Sequence, residues 1–267
     1  PASDATPTRH ARDARVRRAL GVMPTSRQER AMRTSQEAAQ EQLRAEPQRR
    51  RILAYGDSLT AGYVPCDRCC VKERDGCKAC RREPWAEFLR RSLSIEVDHW
   101  GCEGWTTAMH VSEIDKDGLR RCGLRVLLAK AQREGRPYSA VFIMSGSNDL
   151  ADGASAAAIV ENLAVLHRAA RAFGARTVAL SIPESRGWAE EAGLGQRGRE
   201  ANAELGQLPW CEGDSRGESL FVDAPLRHSD EPGLYTSDGL HLTGPGYAVF
   251  GSRLATNEVL TKFILTA

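Results

Sequence analysis

The chain has 267 residues, 41% of them apolar and 27% charged, with a formal charge of +2; these values suit a globular domain of enzyme size with room for a substantial core. So small a net charge argues against nucleic acid as the main partner, and no run approaches the roughly 20 apolar residues that cross a bilayer. The charge is uneven, because residues 1–51 carry twelve Arg against six Asp or Glu, a net +6, which leaves −4 for the rest.

Residues 1–50 are rich in Arg, Ala, Gln and Glu and poor in large apolar side chains. They read as a basic arm, disordered or loosely docked, ahead of one domain over 51–267. Arg51–Tyr55 is a short apolar run that ends in Gly56-Asp57-Ser58, a strand followed by a sharp turn. Pro84–Leu93 places Trp85, Phe88 and Leu89 at helical spacing. A second strand is predicted over Ser94–Trp100, and a largely helical stretch over Ser112–Glu134 with interruptions near Gly118 and Gly123. Ser139–Met144 is a third strand, Ala154–Phe173 an Ala-rich helix, and Arg176–Ile182 a fourth strand. Arg197–Leu208 reads as a helix, Leu220–Val222 as the last strand, and Tyr247–Phe263 as a closing helix. Strands alternating with helices in this way predict an α/β domain in three layers, a parallel sheet of about five strands covered on both faces. In such folds the ligand crevice lies beyond the carboxyl ends of the strands.

Four polar or Gly-rich patches are placed at or after strand ends: Gly56–Thr60, Gly101–Thr107, Gly146–Asp149 and Ser237–Leu242. Acyl transfer at neutral pH needs an activated hydroxyl, a base to take its proton, and hydrogen-bond donors for the oxyanion. Ser58 supplies the hydroxyl. His241 supplies an imidazole, a side chain whose ordinary pKa of about 6.5 suits a base. Asp238, three residues earlier, would face the same way as His241 if the segment forms a helical turn, and could then hold one ring nitrogen. The backbone N–H groups of Ser58 and Gly104, with the Asn148 amide, would make the oxyanion hole. Each patch has a blander counterpart as an ordinary turn; their order along the chain is what points to chemistry.

Taken together, Gly-Asp-Ser-Leu at 56–59, Gly104 within Gly-x-x-Gly-x-Thr-Thr, Gly-x-Asn-Asp at 146–149 and Asp-x-x-His at 238–241 resemble the signature blocks of the SGNH (GDSL-type) hydrolases. The resemblance spans about residues 51–263. It implies a flavodoxin-like fold, a serine ester hydrolase working through an acyl-serine intermediate, and a catalytic set of Ser58, Gly104, Asn148 and His241 with Asp238 completing the triad. Carbohydrate O-acetyl, lipid and small acyl esters are all substrates within that expectation, and no cofactor is implied for catalysis. Two other readings share the same residues: an SGNH-fold binding module without turnover, and an acyltransferase.

Five of the eight Cys fall between residues 66 and 80, an insert at 66–80 that departs from the family pattern. Cys66, Cys69, Cys77 and Cys80 form a pair of Cys-x-x-Cys knuckles, a pattern suited to structural zinc. Disulfides and reduced thiols compete with that reading. Cys102 reads as a buried small residue rather than a nucleophile, Asp57 as a brace for the turn, and Trp105, Trp188 and Trp210 as core packing. The compartment, intracellular or secreted after processing, and the oligomeric state are left open by these features.

Overall fold

The computed structural model describes residues 50–66, 80–120, 122–207 and 218–266. Apart from Arg50, the arm expected over 1–50 lies outside them, as do Cys69, Cys70, Cys77, Trp210 and Cys211.

Five parallel strands form the main sheet: β1 (Arg51–Gly56), β4 (Glu96–Gly101), β5 (Ala140–Met144), β6 (Arg176–Leu180) and β7 (Ser219–Val222), side by side as β4-β1-β5-β6-β7. This is the doubly wound order in which the chain switches direction across the sheet between β1 and β5. A separate antiparallel ribbon pairs β2 (Tyr63–Val64) with β3 (Arg81–Arg82). The helices are α1 (Ser58–Ala61), α2 (Trp85–Leu93), α3 (Thr107–Ser112), α4 (Leu124–Arg133), α5 (Ser147–Ala151), α6 (Ala156–Ala172), α7 (Arg186–Glu190), α8 (Ala192–Gly206), α9 (Gly244–Thr256) and α10 (Glu258–Leu265).

Strand side chains alternate between two faces, and both faces are covered. Leu53 and Tyr55 of β1 pack with Val141 and Ile143 of β5 against α4, α6 and α8. Ile52 and Ala54 pack with Phe142 and Met144 against α2, α9 and α10. Trp85 anchors the second face, its ring within 6 Å of both Phe142 and Phe250. Burial on both sides explains why β1 and β5 read as continuous apolar runs rather than as alternating patterns.

Three expectations are corrected. The helix expected across Ser112–Glu134 is confined to α4, because Gly123 caps its start and Gly118 adopts φ +76 in the loop before it. Among the short helices that were missed, α3 begins inside the Gly-x-x-Gly-x-Thr-Thr block, where the Thr106 hydroxyl accepts from the Met109 N–H. The closing helix is two helices, broken at Asn257, whose side chain caps α10 by accepting from the Leu260 N–H. No helix among the described residues is long and apolar enough to cross a membrane.

The end of β4 lies tight against α1. A Cβ on Gly101 would stand 2.2 Å from the Ala61 nitrogen and 2.5 Å from the Asp57 carbonyl oxygen, both backbone atoms that cannot step aside. Gly101→Ala is therefore expected to cost about 2 kcal/mol or more and to lower Tm by roughly 5 °C or more, measured by thermal denaturation; an unchanged melting curve would sink this account of the packing.

Candidate active site

The carboxyl ends of β1 and β5, on either side of the switch point, carry Ser58 and Asn148. Asp57 is the N-cap of α1: its side chain accepts from the Leu59 N–H at 3.0 Å and its carbonyl accepts from Thr60 and Ala61. The Ser58 N–H, the first of the helix, is not among these, as expected for a group in the unpaired first turn. Gly62 ends the helix in the left-handed conformation at φ +71. Four residues thus turn the chain sharply and leave Ser58 at the sheet edge.

Across the crevice, Ser58 Oγ lies 2.9 Å from His241 Nε2, and His241 Nδ1 lies 2.8 Å from Asp238 Oδ2. The Asp238–His241 segment does not form a helical turn. It is a hairpin-like loop closed by the Tyr235–Leu242 bridge and by the Thr236 N–H bonding to the His241 carbonyl. Within it the Asp238 Oδ1 accepts from Leu240 N–H, His241 N–H and the Thr236 hydroxyl, at 2.8 to 2.9 Å. One carboxylate oxygen therefore folds the loop while the other meets the imidazole. Burial alone would raise the pKa of this carboxyl, but the hydrogen bond and charge of His241, with the backbone N–H groups, hold it well below the usual carboxylate range. From outside, the Arg186 guanidinium donates to the carbonyls of Ser237 and Asp238. Downstream, the Thr243 hydroxyl caps α9 and fixes the exit of the loop.

The third wall is the loop after β4. The Cys102 N–H donates to the Gly56 carbonyl at 2.8 Å, tying the loop to the end of β1. Gly104 adopts φ +73, with open space where a Cβ would stand. The Asn148 amide donates to the Trp105 carbonyl at 2.9 Å, so it lies beside the residue that follows Gly104 and has a second N–H for another acceptor.

Asp149 and Thr107 form a link that the sequence reading missed. The buried Asp149 carboxylate accepts from the Thr107 N–H at 2.8 Å and from the Thr107 hydroxyl at 2.6 Å, and Asn162 of α6 donates to that same hydroxyl. Burial raises the pKa of the Asp149 carboxyl against these hydrogen bonds. This pair clamps the Gly104 loop to the Asn148 turn. The one available signal was the presence of Thr106-Thr107 and Asp149 in two blocks already suspected of meeting.

The other singled-out residues sort differently. Burial pushes the Cys102 thiol up to about 12, which suits a packed side chain and not a nucleophile. Trp105 and Trp188 are core residues. Of the four suggested zinc ligands, Cys66 and Cys80 are described and Cys69 and Cys77 are not. No group of three metal-ligating side chains occurs among the described residues, so the zinc expectation has no support there. A cavity of about 310 Å³ lies along the outer edge of β4, beside Trp100, Leu127 and Tyr138, away from Ser58 and His241.

Asp57 is fully buried and burial raises its pKa to about 7. Between the ordinary carboxylate range and that value, the folded protein holds a proton that the unfolded chain has released. Stability contributed here falls as pH rises through that window. Asp57→Asn keeps an acceptor for the Leu59 N–H and removes the titration. Its Tm is expected to gain on wild type progressively between about pH 4 and pH 7; an offset that stays constant with pH would refute the burial argument.

The sequence pattern of the GDSL-like Lipase/Acylhydrolase family matches residues 54–249. No curated protein sequence matches the chain. Among solved structures, the fold is similar to that of a carbohydrate esterase family 3 protein from Talaromyces cellulolyticus, with TM-score 0.54 and 15% identity over 82% of this chain and 99% of that one. It is also similar to a lipase/acylhydrolase from Enterococcus faecalis, with TM-score 0.51 and 20% identity over 77% and 93%. A GDSL-like lipase from Bacteroides thetaiotaomicron gives TM-score 0.53 and 16% identity over 85% and 97%. With the family pattern running from β1 into α9, the chain belongs to the GDSL-like lipase/acylhydrolase family of hydrolases.

Proposed function

We propose that the protein hydrolyses carboxylic esters through an acyl intermediate on Ser58, with His241 as general base and Asp238 as the residue that orients it. The observation that carries this reading is the unbroken line of side chains from Ser58 Oγ to His241 Nε2 and from His241 Nδ1 to Asp238, at 2.9 and 2.8 Å. An ionised carboxylate can only accept, so the proton between Asp238 and the ring belongs to Nδ1. Nε2 is then the acceptor facing the serine hydroxyl.

In the first step Ser58 Oγ attacks the ester carbonyl carbon while Nε2 takes its proton. The oxyanion is stabilised by the N–H groups of Ser58 and Gly104 and by the second N–H of Asn148. The imidazolium next to Asp238 then protonates the leaving alcohol as the carbon–oxygen bond breaks. Water, deprotonated by the same Nε2, attacks the acyl-serine and releases the acid. The substrate class is a carbohydrate O-acetyl, lipid or small acyl ester, and rates on a chain-length series of p-nitrophenyl esters beside acetylated sugars rank these three.

Ser58→Ala is expected to abolish turnover of p-nitrophenyl acetate without lowering Tm, and an undiminished rate would end the proposal. Asn148→Ala should lower kcat by about a hundredfold or more. In a pH–rate profile, activity should fall towards acid, because a general base works only in its unprotonated form. Asp238 adds no inflection there, because its carboxyl stays ionised well below that range. A rate that rises into acid would contradict the assignment of the base.

A further inference from the structure

The β2–β3 ribbon reaches both halves of this machinery. From β2, the Tyr63 ring stands edge-on to the His241 imidazole, with centroids 5.0 Å apart and planes at 75°. The Tyr63 hydroxyl lies 3.4 Å from the Cys80 sulfur, at the foot of β3. Its carbonyl accepts the Tyr247 hydroxyl of α9 at 3.0 Å, so the residue is held at both ends. From β3, the Arg82 guanidinium pairs with Glu103, 2.6 Å between nitrogen and oxygen, on the residue just before Gly104. The Glu83 N–H then closes the ribbon onto the Gly62 carbonyl at the end of α1.

His241 needs such a contact. Its hydrogen bonds run through the two ring nitrogens, one to Asp238 and one to Ser58. Together they fix the ends of one axis but resist a swing of the ring plane about that axis only weakly. The side chain is 14% exposed and lies at the mouth of the crevice rather than in the core. An aromatic edge set across the imidazole restrains the remaining motion.

We propose that Tyr63 is a positioning residue for His241, and that the ribbon holds the base and the Gly104 loop in one frame. The inference rests on the assignment of His241 as the base. Orientation of the base matters when the proton moves and not when the ester binds, so loss of the ring should appear in kcat rather than in KM. A side chain that merely fills space would instead affect Tm.

The test is steady-state kinetics on p-nitrophenyl acetate for the full chain, comparing wild type with Tyr63→Leu, Tyr63→Phe and Ser58→Ala. Tyr63→Leu should lose about tenfold in kcat, with KM within about twofold. Tyr63→Phe keeps the ring and should recover most of that loss. A wild-type kcat in Tyr63→Leu, a loss confined to KM, or an equal loss in the Phe variant would each overturn the proposal; the last would transfer the effect to the contact between the hydroxyl and Cys80. Should the Leu variant fail to fold, Tyr63→Met, with its adaptable side chain, carries the same comparison. Ser58→Ala separates the two levels of inference. If it remains active, the underlying function has failed; if it is dead while Tyr63→Leu is fully active, only the role of Tyr63 has.

Discussion

One hydrogen bond, between side chains 183 positions apart in the chain, sets the demands on the rest of the structure. A hydroxyl and an imidazole separated by almost the whole domain must meet to within a few tenths of an ångström. Neither lies on a long element that could aim it. Ser58 opens a four-residue helix, and His241 sits in a loop. Their precision is borrowed from the rigid sheet beneath and from short polar contacts that fold each turn upon itself.

Those contacts share a pattern: an aspartate closes each turn. Asp57 gathers the N–H groups at the head of α1, Asp149 takes both donors of Thr107, and Asp238 ties its own loop while facing the imidazole. The environments drive them apart electrostatically. Burial raises Asp57 and Asp149, whereas at Asp238 the effect of burial is outweighed by the His241 imidazole and the dense hydrogen bonding, which lower it. Three residues of one type are thus shifted in opposite directions within a single crevice.

Much of the fold was legible in the sequence because burial on both faces leaves a plain mark. Apolar runs such as Ile52–Tyr55 and Val141–Met144 admit few other readings, and β1, β5 and β6 lie where such runs predicted them. What escaped was local and polar. The break at Asn257 falls inside an otherwise helical pattern, and the side chain that causes it has an ordinary helical alternative. The start of α3 depends on one threonine cap. The candidate site was legible as a set of blocks, but not the way the blocks are joined. The clamp between Asp149 and Thr107 joins residues 42 positions apart, and no spacing rule predicts it. The ribbon was missed because strands of two residues carry no periodicity to detect.

The placing of that ribbon has a consequence for how such a protein can diversify. Tyr63–Val64 and Arg81–Arg82 pair as two antiparallel strands, outside the hydrogen-bond ladder of the main sheet. Residues can be added to or removed from the intervening stretch without shifting the register of any of the five parallel strands. Because Tyr63 of the ribbon stands against His241, a change in the ribbon would be felt beside that imidazole while the core is left untouched.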